Sequence, residues 1–407
     1  MNSKPLTKKE IFNLLKKISL DNLKSEKINL LNSEGRILSS DIKSLIDLPP
    51  FNNSAVDGYA IRKENLKNYQ TLKCKHRLAA GDKKTVSLNL NEVARIFTGA
   101  RMPFNSNTVV MQENVKLNDK DHIYIKKMPK EGDNCRLAGE DVKKNSIIFK
   151  SGEKINSINI NLIAAIGKSH IKVKEKLKVG YFTSGNELKN LSEKLSNSKI
   201  NNSNHYSLLS LLNKNYLEPK YLGVLKDKKQ LIINSILKNL AKYHVIITTG
   251  GASVGDEDHI INILKEKGEL FFWKTAIKPG RPLAIGKIKN TIFICLPGNP
   301  VSVHLLYGMI IKSFLEFLCG SKLNIPKSLK ATVTFSMKKK TARLEWLRVM
   351  INKKYTSGLF VDKYPKQGSG IISSISYSDG IIEIPENVSQ INVGDKFDFF
   401  LFDQLFI

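Results

Sequence analysis

Three short stretches carry residue types suited to holding a phosphate-bearing ligand. They are Thr183-Ser184-Gly185-Asn186-Glu187, Thr248-Thr249-Gly250-Gly251-Ala252-Ser253-Val254-Gly255 and Leu296-Pro297-Gly298-Asn299-Pro300. Each follows an apolar run expected to be a strand and precedes a run expected to be a helix. Glycine lets backbone approach a ligand closely, and N–H groups opening a helix attract phosphate. None of the three is a Walker A loop or a G-x-G-x-x-G turn. Cations stand near them: Lys274, then Lys278 and Arg281 in a tight Lys-Pro-Gly-Arg-Pro turn. Asp256, Glu257 and Asp258 follow the Gly-Gly stretch directly. Carboxylates beside a phosphate cradle repel the ligand unless a hard cation such as Mg²⁺ lies between. A helix amino-terminal cap accounts equally well for any one of them. Asp57 and Asp141 lie far away in sequence, and composition does not bring them to these loops.

The elements that must position these loops are legible from periodicity. Thr7 and Glu10 fit a capping box ahead of Ile11, Leu14, Leu15 and Ile18 at helical spacing. After Pro49-Pro50, short runs at Tyr59–Ile61, Ala94–Phe97, Thr108–Met111 and Ile123–Ile125 read as strands of a small β-rich unit. The run Ile160–Ile166 ends at Gly167, as a helix with a glycine cap does. From about Lys172 strands and helices alternate. Strands are expected at Val179–Phe182, Val245–Thr248 and Ile292–Leu296, with helices at His205–Leu212, Leu231–Leu240 and Val301–Leu318. Such alternation implies a mostly parallel sheet whose ligands bind beyond the carboxyl ends of its strands. Beyond Pro326 the chain turns β-rich again, with strands expected at Thr332–Phe335 and Lys396–Leu401.

At 407 residues the chain is too long for one core, so two to four domains are expected. No stretch approaches the roughly 18 uninterrupted apolar residues of a membrane span, and no apolar signal core opens the chain. A cytoplasmic location without a membrane partner is the expectation. Lys and Arg number 65 against 37 Asp and Glu, a net charge of +28. Only nine of those cations are Arg, and the Lys are scattered among many Asn and Ile. That pattern fits a lysine-favouring coding bias, and no specific nucleic-acid partner is expected. Cys74, Cys135, Cys295 and Cys319 form no C-x-x-C pair, so neither a zinc site nor a disulfide framework is suggested.

Taken together the motifs resemble the molybdopterin molybdenumtransferases, the MoeA family that includes the gephyrin E domain. The residues that carry the resemblance begin with Pro49-Pro50-Phe51-Asn52-Asn53-Ser54-Ala55-Val56-Asp57-Gly58-Tyr59-Ala60. Thr98-Gly99-Ala100, Val109-Val110-Met111-Gln112-Glu113 and Ala138-Gly139-Glu140-Asp141 follow. The Gly-Gly-Ala-Ser-Val-Gly loop, Leu296–Ser302, Arg343–Arg348 and Gln367-Gly368-Ser369-Gly370 complete the series, in the family's order.

The resemblance implies a central molybdopterin-binding α/β domain with a mostly parallel sheet at 173–324. It implies a β-rich inserted domain at 45–136 and a carboxyl-terminal β-barrel-like domain at 325–407. A discontinuous amino-terminal dimerisation domain would comprise 1–44 and 137–172. The implied reaction is insertion of molybdate into adenylyl-molybdopterin with release of AMP, supported by Mg²⁺. Asp57, Thr98, Asp141, Glu187, Asp227 and Asp258 are carried over as catalytic positions, Glu187 and Asp258 also as metal ligands. The substrate positions are Gly250, Gly251, Ser253, Lys274, Lys278, Arg281, Pro297, Gly298, Asn299, Pro300, Arg348 and Ser369. A homodimer is implied, with Asp57, Thr98 and Asp141 supplied across the interface. A molybdopterin adenylyltransferase and the factors that mature molybdoenzymes are the implied partners.

Two positions depart from the family pattern: Asn186 and Asn52 stand where Asp is common. Glu140 reads as a structural partner for Arg136, and His304 as a helix histidine without a ligand role. An ATP-using adenylyltransferase is a rival reading, but the β-rich modules on either side of the α/β region count against it. A scaffolding role is a second rival, which the presence of all the acidic positions counts against.

Overall fold

The computed structural model describes residues 4–20, 23–67, 71–118, 121–250 and 259–406. Its first helix, α1 (Lys8–Leu15), begins with the expected capping box. The Glu10 amide donates to Thr7 Oγ1 at 3.3 Å and the Thr7 amide to Glu10 Oε2 at 2.7 Å. The apolar stripe Ile11, Phe12 and Leu15 does not fold back on its own neighbourhood. It enters the largest core, alongside Leu177, Phe314, Trp346 and Phe400. β1 (Ser25–Asn29) follows.

The β-rich unit has six strands: β2 (Gly58–Ile61), β3 (Thr71–Leu78), β4 (Glu92–Ile96), β5 (Thr108–Met111), β6 (Val115–Leu117) and β7 (His122–Ile125). Their order is β5-β2-β4-β3-β7-β6, with β3 and β4 parallel and the other neighbours antiparallel. Its two faces bury separate small cores around Tyr59, Val93 and Val110, and around Ala60, Ala94 and Val109. Gly58 lies where β2 runs closest to β5. A Cβ there would overlap the Val110 carbonyl oxygen, a backbone atom that cannot swing away. Gly58→Ala is expected to cost about 3 kcal/mol or more of stability. A urea melt with an unchanged midpoint would contradict this.

The chain then returns through α2 (Ser157–Ala165), which ends with Gly167 at φ +80°, to β8 (His170–Lys174). β8 pairs antiparallel with β1, so segments from both sides of the inserted sheet share one small core.

The α/β region comprises β9 (Leu177–Ser184), α3 (Ser203–Leu212), β10 (Leu217–Leu225), α4 (Lys229–Asn239), β11 (Val245–Thr249), α5 (His259–Lys267), β12 (Glu269–Trp273), β13 (Ala284–Ile288) and β14 (Thr291–Leu296). The sheet order is β10-β9-β11-β14-β13-β12. The first four strands are mutually parallel, and β13 and β12 add antiparallel at one edge. The expected long helix is α6 (Pro300–Leu306) and α7 (Lys312–Leu318), joined by one π-helical turn at Tyr307–Ile311. Gly308 in that turn packs under Phe406 and Leu405 of the last short helix, leaving no room for a Cβ. This 19-residue stretch is apolar enough to cross a membrane, yet 78% of its most apolar window is buried, which makes it a core helix.

The carboxyl-terminal strands are β15 (Leu329–Val333), β16 (Leu344–Ile351), β17 (Phe360–Lys363), β18 (Gly380–Ile384) and β19 (Lys396–Leu401). They run β16-β17-β15-β19-β18, and β18 pairs again with β16, closing a five-stranded barrel. β15 ends at Val333, two residues before the expected limit, because Thr334 turns its hydroxyl to the Val361 carbonyl and the Asp362 carboxylate.

Candidate functional site

The parallel strands β9, β10, β11 and β14 present their carboxyl ends at one edge, where the three glycine-containing loops gather. Gly250, at φ +82°, donates its amide to Leu296 O at 3.0 Å. A Cβ there would lie 2.8 Å from Ser184 O, and one at Gly298 3.7 Å from the Gly250 Cα. The Gly298 carbonyl accepts from Asn204 Nδ2 at 2.7 Å. The loops after β9, β11 and β14 therefore touch. One expectation fails here. The Thr183–Glu187 loop leads first into a two-residue pairing, Leu188–Lys189 with Ile200–Asn201, and only then into α3.

Two carboxylates stand at this edge. Glu187 is exposed and folds back over Gly185, where a Cβ would collide with both carboxylate oxygens. Asp227 is also exposed and accepts from Ser184 Oγ at 3.5 Å. Neither makes an ion pair with a cation among the described residues. Thr248 Oγ1, Thr249 Oγ1 and Asn204 Oδ1 are buried with no hydrogen-bond partner among the described residues, which an aligned ligand or water could supply. Gly251, Ser253 and Asp258 lie outside the described residues. No group of three His, Cys, Asp or Glu gathers among the described residues. An oxygen-only pair of carboxylates fits a hard cation that keeps most of its shell as water and phosphate oxygen, as Mg²⁺ does.

Next to the loops, a cleft of about 270 Å³ opens between the α/β region and the barrel. Lys278, Arg281, Pro297, Asn299, Arg348 and Ser369 meet there, and Arg343 joins them. Among the described residues Glu345 is the one carboxylate in its wall, and it accepts from Lys278 Nζ at 2.7 Å. Arg343 and Glu345 were part of the sequence resemblance, but nothing in spacing assigned them to a site. The register does: Ile277–Lys278 pairs parallel with Leu344–Glu345 and carries the cationic turn to the barrel rim. Arg348 is almost wholly buried. Its guanidinium donates to Ser374 Oγ at 3.1 Å, Gly368 O at 3.2 Å and Trp346 O at 3.4 Å. Burial lowers its pKa to about 10, still well above neutrality. It braces the Gly368–Ser369 wall more than it offers itself to a ligand. The Ser369 carbonyl in turn takes the Val301 amide at 3.3 Å, so this first-turn N–H of α6 faces the barrel. Pro300 opens that helix and Asn299 is its uncapped, exposed flank. Lys274 is not in this wall; its ammonium rests 4.0 Å over the Trp273 ring.

Asp57, Thr98 and Asp141 lie elsewhere, on the inserted sheet and at its base, and none lines this cleft. Asp57 Oδ1 accepts from the Thr98 amide at 2.8 Å and the Thr98 hydroxyl at 2.7 Å. These two bonds hold the Asp57 carboxyl below its usual pKa. Their stabilisation is complete above the ordinary carboxylate range and is lost as pH falls through the lowered value. Thr98→Val keeps the amide bond and removes the hydroxyl, so the Asp57 pKa is expected to move part of the way back up. A carbon-detected NMR titration showing no movement would refute it. The exposed Asp141 donates its amide to Leu48 O at 3.0 Å. Glu140 does not pair with Arg136; its carboxylate takes the Leu137 amide at 2.7 Å. Asn52 Oδ1 accepts the Ala138 amide at 2.8 Å, a bond Asp could equally make. His304 is largely buried against Ser207 and the Pro300 carbonyl, and burial lowers its pKa.

Comparison with known proteins covers the same ground. Residues 7–167 match the MoeA N-terminal region (domain I and II), 180–316 a probable molybdopterin binding domain, and 330–402 the MoeA C-terminal region (domain IV). The molybdopterin molybdenumtransferase of Haemophilus influenzae is 32% identical over 372 residues, 91% of this chain and 92% of that protein. The chain belongs to the MoeA family. The molybdopterin molybdenumtransferase of Staphylococcus epidermidis is 29% identical over 98% of this chain and 96% of its own length. The crystal structure of the molybdopterin biosynthesis moeA protein from Pyrococcus horikoshii OT3 superposes with a TM-score of 0.82 at 29% identity. It covers 98% of this chain and all of that one. The MoeA fold is thus shared along essentially the whole chain, including the α/β region and the closing barrel.

Proposed function

We propose that this MoeA-family chain is a molybdopterin molybdenumtransferase that inserts molybdate into adenylyl-molybdopterin, releases AMP and requires Mg²⁺. The observation that carries the reading is the cleft itself. Lys278, Arg281, Arg343 and Arg348 line about 270 Å³ against one carboxylate, and that carboxylate is already paired. A small oxyanion such as molybdate suits such a wall. The adjoining Gly250, Pro297 and Gly298 loops hold the pterin and nucleotide, with Gly251 and Ser253 assigned to the same task by the family resemblance. Attack of a water oxygen on the AMP phosphorus breaks its bond to the molybdopterin phosphate oxygen; AMP leaves carrying the water oxygen, molybdopterin keeps its phosphate, and the proton released goes to solvent. Glu187, Asp227 and Asp258 hold the cation or orient the attacking oxygen. When bound, Mg²⁺ offsets negative charge on the phosphoryl oxygens. Lys278 adds positive charge in the cleft wall, and Lys274, carried over by the family resemblance, is held over the Trp273 ring outside it.

Asp57, Thr98 and Asp141 do not reach the cleft of their own chain, which supports a homodimer with the active site at the subunit interface. Exposed apolar residues support a second copy as well. Leu31 is 88% exposed and Ile158, on an α2 that buries only Ile163, is 80% exposed. A molybdopterin adenylyltransferase supplies the adenylylated substrate, and molybdoenzyme maturation consumes the product, in the cytoplasm.

A single-turnover assay with adenylyl-molybdopterin, Mg²⁺ and molybdate tests this. Molybdate-dependent AMP release is expected. AMP release indifferent to molybdate, or none from folded protein, would sink the proposal. Asp258→Ala is expected to abolish transfer with the fold intact.

A further inference from the structure

Side chains alternate across a strand, so each face of the α/β sheet can be followed to its carboxyl edge. Val245 and Ile247 of β11 enter the core that holds Leu208 and Leu211 of α3. Ile246 enters the opposite core, with Ile232 and Ile236 of α4. Thr249 therefore lies on the α3 face, and Thr248 on the other. Register sets Thr249 beside Thr183 of β9 and Leu296 of β14. Alternation from Val179 and Tyr181 puts Thr183 on the α3 face as well. Two asparagines at the start of α3 meet this edge, and they are used differently. Asn202 Nδ2 donates to Thr183 Oγ1 at 2.9 Å and to Tyr221 Oη at 3.1 Å, and its Oδ1 accepts the His205 amide at 3.3 Å. Asn202 and Thr183 are thus satisfied inside the protein. Asn204 Nδ2 donates to the Gly298 carbonyl at 2.7 Å, but its Oδ1 has no partner among the described residues. Thr249 Oγ1 has none either. Asn204 is 8% exposed and Thr249 1%.

Two buried polar groups left unmet in one corner lower the stability of the fold, whereas apolar side chains would fill the same volume without that penalty. The corner adjoins the site. Pro297 and Asn299, on either side of Gly298, line the cleft, and Gly250 directly follows Thr249. Asn204 presents an acceptor, since its amide nitrogen is turned to Gly298, and a threonine hydroxyl both donates and accepts. An exocyclic amino group next to a ring nitrogen matches that pair. Its N–H donates to Asn204 Oδ1, and the ring nitrogen accepts from the Thr249 hydroxyl. We propose that Asn204 and Thr249 select the ring of the bound ligand, reading an amino-substituted nitrogen heterocycle by its amino edge. The inference rests on the molybdenum-transfer reading and deepens it, because the same loops there hold the pterin and nucleotide. Both rings carry such an edge: adenine has its 6-amino group and the pterin its 2-amino group. The pair selects the ligand and takes no part in bond breaking.

The test is calorimetric titration of the full-length protein with two pairs of probes. AMP and IMP differ at the amino edge of the base, where IMP carries a carbonyl oxygen and a ring N–H instead. Pterin and lumazine differ in the same way at position 2. Wild type is expected to favour the amino member of one pair by about tenfold or more. Thr249→Val keeps the shape and removes the hydroxyl. It is expected to bring that preference close to parity while melting at or above the wild-type temperature, because the group it removes is buried and unmet. A hydroxyl with only a structural part would do the reverse, lowering the melting temperature and leaving the preference alone. Asn204→Ala removes the acceptor and the Gly298 bond together, and is expected to lose preference and stability both. The pair whose preference falls in Thr249→Val names the ring. Equal affinities within both pairs in wild type overturn the proposal. So does a Thr249→Val variant that keeps the wild-type preference, or one that melts lower. The titrations need neither molybdate nor turnover. Molybdate-dependent AMP release without any probe preference therefore sinks this inference alone, and a preference without transfer sinks only the reaction.

Discussion

Arg348→Ala is expected to lower the stability of the protein by about 3–5 kcal/mol. The side chain is almost wholly buried and donates to Ser374 Oγ, Trp346 O and Gly368 O. Truncation leaves those acceptors unmet and opens a void between barrel wall and cleft. Part of the loss comes from volume and part from the acceptors, and two further variants divide it. Arg348→Met keeps most of the volume and loses the donors. Arg348→Lys keeps charge but places one ammonium where a fork served three acceptors. Chemical denaturation is expected to order the stabilities as wild type, then lysine or methionine, then alanine. An alanine variant within about 1 kcal/mol of wild type would mean that water replaces the guanidinium freely.

Lys278→Ala is expected to reduce molybdate-dependent turnover about a hundredfold. Two effects act in the same direction. The cleft loses a cation, and the buried Glu345 carboxylate, 2.7 Å from that ammonium, is left facing an anionic substrate. The second effect can be isolated. Lys278→Ala with Glu345→Gln removes the cation and the unmasked charge together, and is expected to recover roughly tenfold of the loss. A double variant no better than the single one would show that Glu345 does not feel the ligand. A single variant with wild-type kcat/KM for molybdate would remove Lys278 from anion capture.

Much of this was legible in the residues. The Thr7–Glu10 box, the Gly167 cap and the parallel strands with glycine-containing loops at their ends follow from local chemistry that needs no distant partner. The cleft was only half legible. Lys278 and Arg281 announced themselves by their Pro-Gly turn, whereas Arg343 and Glu345 reach the site through a two-residue pairing with a strand some 65 positions away, a register that periodicity does not encode. β12 and β13 escaped notice because antiparallel edge strands break the alternation that revealed the others. Arg348, carried over as a ligand contact by resemblance, lines the cleft and also braces it through three protein acceptors, a second part that no sequence window shows. The π-helical turn at Tyr307–Ile311 depends on Gly308 meeting the last helix of the chain, which no local window contains.

The docking of α1 bears on how the protein is made. Leu6 exchanges backbone bonds with Lys274 and Ala276, and Lys8 pairs with Glu383 across 375 residues of chain. On a ribosome adding about 5–20 residues per second, the first helix emerges roughly 20–75 s before its barrel partner exists. Through that interval Ile11, Phe12 and Leu15 can meet the part of their core already made, such as Leu177 and Phe314, but not Phe400. The helix is thus completed in its place only when the barrel forms, and there it ties the α/β region to the barrel.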